Sequence, residues 1–522
     1  MKLQSYLCGA WHDGAGPGIA LTDPVTAEEL VRVSGDGLDM AAALAYARQR
    51  GGPALRALSF AERAKLLADV AAVLTSHKER YGEIALRNSG NTATDAAFDI
   101  DGGIGTLKYY AGLGRKLGET KTLVEAGSDQ LTRDEAFRGI HLWSAVHGVA
   151  VHINAFNFPS WGLWEKAAVA LLAGVPFLAK PATATAWLAA EMVGDVVAAG
   201  VLPDGALSLL CGGGRDLMDH LAPGDVVSFT GSADTGRMLR SHPNVVAANI
   251  RFAVEADSLN LCCLGPDVSP EADEFALFVR EIVGEMTVKA GQKCTAIRRV
   301  LVPRAQVDAV TQALAAKLAG VVVGDPRNPD VRMGPLVSKA QQGAAWDGLE
   351  RLLAETQVVC GADRHWAPAA IDPAKGCFFP PTVLVCPDPM MARAVHEVEV
   401  FGPVVTVMAY DDVDQAVALA RQGGGSLVAS VFSGDNDFAQ SFVMAIASAH
   451  GRVLIVDAAV GKSQSGHGVV MPQSVHGGPG RAGGGEELGG LRGLRFYMQR
   501  TAIQGRAGRL DAIITASTQT SL

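Results

Sequence analysis

Apolar residues recur at helical spacing after Leu58-Ser59-Phe60-Ala61-Glu62, at Leu66, Leu67, Val70, Val73 and Leu74. Ser59 and Glu62 match a capping box, in which each side chain satisfies a backbone N–H at the helix start, so a helix is predicted from Phe60 onward. The first hundred residues read as largely helical. From Val149 the pattern shortens to apolar runs, VAVHI, VPFLAK at Val175, ALSLLC at Ala206 and VVSFTG at Val226, separated by helical stretches. That alternation predicts βαβ units and a parallel sheet. A second series begins near Asn260, with a helix from Glu274 to Ala290 and strands at RVLVP, PVVTVMAY, SLVASVFS and RVLIVD. The expected class is α/β, with two parallel-sheet domains in tandem.

Two segments stand outside that scheme. Residues 120–148 are polar and turn-containing, and LRFYMQRTAIQG after Gly493 reads as a strand with no partner following it. Unpaired strand edges invite pairing between subunits. From His476 to Gly493 there are nine glycines in eighteen residues. Because this tract interrupts no domain, it reads as a loop packed close to something rather than a linker.

Composition narrows the function classes. The 522 residues carry a formal net charge of −9, with no run of five or six like charges, which disfavours a nucleic-acid groove or an anionic membrane surface. At 19% charged and 48% hydrophobic residues with 60 glycines, the chain is compact globular material. The longest apolar stretch, Ala167 to Ala179, is broken by Gly174 and Pro176 and is shorter than the ~20 residues of a membrane span. The N-terminus lacks the pattern of a secretory signal, so a cytoplasmic location is expected. Eight cysteines without a Cys-x-x-Cys pair form neither a disulfide framework nor a zinc pattern, and no metal is expected.

Four places could carry chemistry. Gly291-Gln292-Lys293-Cys294-Thr295 puts a cysteine past a helical segment, beside a lysine, in a glycine-marked bend. A reactive thiolate needs such an exposed, electropositive position, and a structural cysteine at a turn fits the same residues. His152-Ile153-Asn154-Ala155-Phe156-Asn157-Phe158-Pro159 ends a strand in asparagines. An amide there can donate to a developing oxyanion or cap the next helix. Phe229-Thr230-Gly231-Ser232 lies at a strand-to-helix turn, where backbone amides attract a pyrophosphate. Val254-Glu255-Ala256-Asp257-Ser258 places a carboxylate after an apolar run.

The four together, in this order and spacing, resemble the aldehyde dehydrogenase superfamily over almost the whole chain. The family's Pro-Trp-Asn-Phe-Pro stretch is matched by residues 155–159, its Lys-Pro-Ser-Glu by Lys180-Pro181-Ala182-Thr183, and its Phe-Thr-Gly-Ser turn by residues 229–232. Its Glu-Leu-Gly-Gly segment keeps only Glu255, while Glu399-Val400-Phe401-Gly402-Pro403 matches its nicotinamide-ribose element. The resemblance implies Cys294 as nucleophile, Asn157 as oxyanion donor and Glu255 as general base. It further implies Lys166 near the base and Glu487 as a tail relay, with Glu486 as the alternative under a one-residue shift. Phe156, Lys180, Thr183, Gly231, Ser232, Glu399 and Phe401 are the implied cofactor contacts. The implied domains are a dinucleotide-binding part (1–119 and 149–258), a catalytic part (259–493) and an oligomerisation element (120–148 and 494–522) supporting a homodimer.

Glu-Ala-Asp-Ser-Leu-Asn at 255–260, Gly-Gln-Lys-Cys-Thr-Ala-Ile-Arg-Arg at 291–299 and the glycine-rich tail resemble one branch of the family. That branch oxidises semialdehydes carried on coenzyme A thioesters, such as 3,4-dehydroadipyl-CoA semialdehyde, in aerobic benzoate degradation. A CoA-acylating enzyme, a dehydrogenase of free aldehydes or of the CoA-linked semialdehyde of phenylacetate breakdown, and a non-catalytic protein on the same fold are the alternatives; Glu255 argues against the first. Family members that prefer NAD carry a glutamate where this chain has Thr183. Its replacement by a neutral donor, near Lys180, implies NADP with NAD weaker.

Overall fold

The structure, a computed structural model, describes residues 1–369 and 371–518. The apolar runs form strands Ala150–Ile153, Phe177–Lys180, Leu207–Leu209, Val226–Thr230 and Arg251–Glu255, all paired in parallel. Most of their side chains are buried, as in strands covered on both faces by crossover helices. Across the sheet the order is Arg251–Glu255, Val226–Thr230, Ala150–Ile153, Phe177–Lys180 and Leu207–Leu209, then antiparallel Ser5–Leu7 and Ala10–His12. The chain moves outward from Ala150–Ile153 on one side and returns on the other at Val226–Thr230. Between those strands the order reverses, and a crevice opens beyond their carboxyl ends.

A second sheet has the order Gln357–Cys360, Thr382–Cys386, Val404–Tyr410, Arg299–Pro303, Leu261–Leu264, Ser426–Phe432 and His450–Val456. All but the first strand pair in parallel. The protein is thus α/β, with two Rossmann-like parallel sheets and a small antiparallel one. No helix among the described residues is long and apolar enough to cross a membrane.

Helix Phe60–Ser76 starts with the expected capping box: Ser59 Oγ accepts from Glu62 N, and the Glu62 carboxylate accepts from Ser59 N at 2.7 Å. The expectation of a helical first hundred residues fails before Met40, where five strands lie between Lys2 and Val33. Each is two to five residues long, too short to show a period, and sheet partners rather than local propensity decide its state.

The expectation of an unpartnered strand after Gly493 also needs correction. Leu491–Phe496 is helical, and Met498–Arg506 pairs along its length with Phe137–Ala145 of the same chain. Helix Ala507–Thr518 follows, and residues 519–522 of the implied oligomerisation element lie outside the described residues. Met498–Arg506 is an edge strand of its sheet, and most of its side chains are exposed.

The glycine tract packs closely, as its composition implied. A Cβ on Gly483 would stand 2.3 Å from Val254 O, and one on Gly477 would stand 1.9 Å from Gly485 O. Val475–Gly477 and Glu486–Leu488 form a two-stranded ribbon across this tract, carrying His476 and Glu487 opposite each other. Val470, Leu488 and Leu494 join the core of the first sheet. The tract therefore ties the tail to the strand that ends in Glu255.

Candidate active site

Three strand ends supply one wall of the site: Asn154 and Asn157 beyond Ala150–Ile153, Thr230 on Val226–Thr230, and Glu255 on Arg251–Glu255. Helix Trp161–Ala173 adds Glu165 and Lys166. Cys294 arrives from the other side, after a turn in which Lys289, Ala290 and Gly291 all have left-handed φ of 53°, 53° and 68°. Two non-glycine residues in that region represent stored strain, which surrounding bonds must hold. Lys289 N donates to Asp95 Oδ1 at 3.0 Å, and the Arg298 guanidinium donates to the carbonyls of Gly291, Lys293 and Gly402. Asn260 Nδ2 donates to the Cys294 carbonyl at 2.8 Å. The cysteine is thereby fixed, half-buried, facing the first sheet.

Two cavities meet at the sulfur. The larger, about 690 Å³, includes Phe156, Gly231, Ser232, Glu399 and Phe401 in its lining; the inner one, about 50 Å³, is walled by Phe98, Phe158, Trp161 and Val470. Asn154, Asn157, Thr230, Glu255 and Cys294 line both. Phe156 and Phe401 meet edge to face at 5.6 Å, and the Arg298 guanidinium lies 5.5 Å from the Phe401 centroid. Ser232 caps helix Ala233–Arg240, and Ala233 N donates to Asp257 Oδ1 at 2.9 Å.

Charges are concentrated behind the sulfur. Lys166, its side chain 1% exposed, donates to Thr230 Oγ1 at 2.8 Å and lies 3.1 Å from Glu487 Oε2 and 3.6 Å from Glu165 Oε1. Thr230 Oγ1 is 3.4 Å from Glu255 Oε2, and Ser228 Oγ donates to Glu487. Carboxylate oxygens of Glu165, Glu255 and Glu487 lie within 4.8 Å of one another. Burial acts to raise the Glu255 carboxyl, but His476 and then Lys166 outweigh it and hold it at about 2. Burial pushes Glu165 up to about 7 despite Lys166, and pushes Glu399 up to about 7 despite Arg298. Burial, reinforced by Glu255, raises the Cys294 thiol well above its ordinary value.

Most residues expected from the sequence converge here: Cys294, Glu255, Asn157, Lys166, Glu487, Phe156, Gly231, Ser232, Glu399 and Phe401. Glu487 faces Lys166, whereas Glu486 is exposed. Lys166 is buried. The lysine beside the nucleophile is different. Lys293 Nζ is bound to Glu285 Oε1 at 2.6 Å, so the electropositive surroundings expected of Cys294 are absent on that side. Lys180 ends its strand and Thr183 opens the turn that follows; the large cavity reaches Ala182 between them but neither of these two.

Three further residues were not found from sequence. His476 Nε2 lies 3.1 Å from Glu255 Oε2 and 4.0 Å from Cys294 Sγ. Glu165 adjoins Lys166, and Asn154 is buried with both amide atoms unpartnered between the two cavities. Asn154 stood in the same strand-end motif as Asn157 and was the most accessible to sequence reasoning.

The sequence model described as the aldehyde dehydrogenase family matches residues 11–503. The 3,4-dehydroadipyl-CoA semialdehyde dehydrogenase of Aromatoleum evansii is 57% identical over 92% of this chain and 93% of its own. A betaine aldehyde dehydrogenase of Vibrio vulnificus is 27% identical over 80% of this chain and 82% of its own. Among solved structures, Staphylococcus aureus betaine aldehyde dehydrogenase in complex with NAD+ superposes with a TM-score of 0.84 at 26% identity, covering 97% of this chain and 95% of that one.

Proposed function

The chain belongs to the aldehyde dehydrogenase family, and from that premise we propose that it oxidises a semialdehyde carried on a coenzyme A thioester, such as 3,4-dehydroadipyl-CoA semialdehyde, to the carboxylic acid. In this reading Cys294 attacks the aldehyde carbon as thiolate. Its oxyanion is held by the Asn157 amide and the Cys294 backbone N–H. The crevice suits a nicotinamide dinucleotide: it lies at the topological switch point, offers the capped helix at Ser232, and presents Glu399 Oε1, which accepts no hydrogen bond and lies 3.8 Å from Arg298 Nε, together with the unpartnered Asn154 amide, to hydroxyl and amide groups. Glu399, Phe401 and the helix start at Ser232 would hold NADP, which would supply the hydride acceptor; loss of the hydride from the thiohemiacetal carbon leaves an acyl thioester on Cys294. Glu255 then takes a proton from the water that hydrolyses it. Lys166 holds Glu487 and Thr230 behind Glu255, as a path by which that proton reaches solvent.

The observation that carries the chemistry is Glu255, whose carboxylate lies within 4.8 Å of the sulfur, so that water rather than free coenzyme A accepts the acyl group. The substrate class rests on the Aromatoleum relative and suits the inner wall of Phe98, Phe158 and Trp161, which accepts a hydrocarbon arm. The same reading takes 1–119 and 149–258 as cofactor domain, 259–493 as catalytic domain, and 120–148 with 494–522 as the element joining a homodimer.

A panel of CoA-linked and free semialdehydes, followed by NADPH formation without free coenzyme A, tests the proposal. The highest kcat/KM should belong to a CoA-linked semialdehyde. Preference for free aldehydes, or dependence on added coenzyme A, would overturn it.

A further inference from the structure

Nothing in the four sequence motifs explains how Cys294 loses its proton. Among the described residues, the acidic groups near the sulfur are Glu255, Glu165 and Glu399, each of which opposes a thiolate. Lys293 is engaged by Glu285 and Lys166 by Glu487, Glu165 and Thr230. The imidazole of His476 is different. Its Nε2 is at hydrogen-bonding distance from both the thiol and Glu255, in a site where the carboxylate, sulfur and ring nitrogen lie within 4.8 Å of one another.

We propose that His476 is a catalytic residue, the acceptor of the Cys294 thiol proton, and that Glu255 has a second role in holding the imidazolium so formed. The inference rests on Cys294 being the nucleophile. The S–H bond breaks, its electron pair stays on sulfur, and its proton moves to Nε2, where the Glu255 carboxylate accepts the resulting N–H. The sulfur pair then forms the C–S bond while the carbonyl π pair moves to oxygen. When water later displaces sulfur from the acyl carbon, the C–S pair returns to sulfur beside the same cation. His476 thus lowers the cost of thiolate both as nucleophile and as leaving group.

The placement comes from the fold. His476 sits on Val475–Gly477, whose partner strand carries Glu487, so the ribbon delivers an imidazole to the sulfur and a carboxylate to Lys166 from one element. The groups acting on His476 are Glu255 from the neighbouring strand, Glu165 from helix Trp161–Ala173 and Glu487 from the opposite strand. All three favour the charged ring against its burial.

The test is the rate of Cys294 alkylation by iodoacetamide in the free enzyme as a function of pH, read by peptide mass spectrometry for wild type and His476→Gln. The pH profile of the variant should lie at least about 1 unit higher, giving about tenfold slower labelling at neutral pH. Superimposable profiles would overturn the proposal. Thiolate absorbance of wild type minus Cys294→Ala, followed against pH, needs no histidine variant. A thiolate present at pH 7 supports the pair, and one that emerges only above the ordinary thiol range contradicts it. Residual aldehyde oxidation in Cys294→Ala would instead refute the nucleophile assignment, a separate failure.

Discussion

Lys166 Nζ lies 3.1 Å from Glu487 Oε2, so the helix that follows the first strand of the crevice is fastened to the tail ribbon by a buried ion pair. Both partners are nearly inaccessible, at 1% and 10% side-chain exposure. Removing one partner of such a pair leaves the other charge buried and costs about 3–5 kcal/mol. Lys166→Met should therefore lower the denaturation midpoint sharply, since it strands Glu165 as well as Glu487. Glu487→Gln, which keeps an acceptor for Lys166, should be milder in stability but slow turnover after the first hydride transfer. An unchanged midpoint in Lys166→Met would contradict this arrangement.

Glu399 gives the cofactor step a pH dependence. Its carboxyl is pushed up to about 7 by burial, against the pull of Arg298, and in the proposed cofactor site ribose hydroxyls would donate to its charged form. Cofactor affinity should rise with pH through about 7 and level off above it. Without cofactor the sign for stability is the reverse. The folded state binds the proton more tightly than the unfolded chain, so stability declines as pH rises from the ordinary carboxylate range to about 7. Glu399→Gln should flatten both curves; fluorescence titration of cofactor across that range reads the first.

Gly483 tests the close packing of the tail on the base. It has φ +102°, and a Cβ there would stand 2.3 Å from Val254 O, one residue before Glu255. Gly483→Ala should lose about 1–3 kcal/mol from the backbone conformation alone and displace Glu255 in addition. Thermal unfolding with steady-state kinetics should show both losses; a stable variant of normal kcat would contradict the contact.

The proposed preference for NADP rests on Thr183 and Lys180. A hydroxyl in place of a carboxylate admits a 2′-phosphate, and one hydrogen bond to a charged group, about 1.5–3 kcal/mol, gives a preference of roughly tenfold or more. Wild type should show the higher kcat/KM with NADP, and Thr183→Glu should shift the ratio toward NAD. A wild type favouring NAD, or a ratio unmoved by the glutamate, would contradict the prediction.

Much of this site could be read from sequence because its residues sit at strand ends and turns with characteristic neighbours. Cys294, Asn157, Glu255, Glu399 and the Phe-Thr-Gly-Ser turn each lie in a short motif, and their order along the chain is more specific than any one of them. His476 had no such signal: a lone histidine opening a glycine tract shows no period, and only the tertiary fold carries it to the sulfur. Glu165 was hidden because a charged residue beside a lysine on a helix ordinarily faces solvent. Lys293 misled for the opposite reason, since adjacency in sequence to Cys294 says nothing about where a long side chain finds its carboxylate.

The central claim is that an acyl group forms on Cys294 and that Glu255 activates the water that removes it. Rapid mixing of Glu255→Gln with substrate and NADP, followed by NADPH absorbance, tests it most directly. The account predicts a burst of at most one NADPH per active site followed by a stall, with the acyl adduct detectable on Cys294 by mass spectrometry. Steady turnover of Glu255→Gln at the wild-type rate, with no adduct, would contradict it.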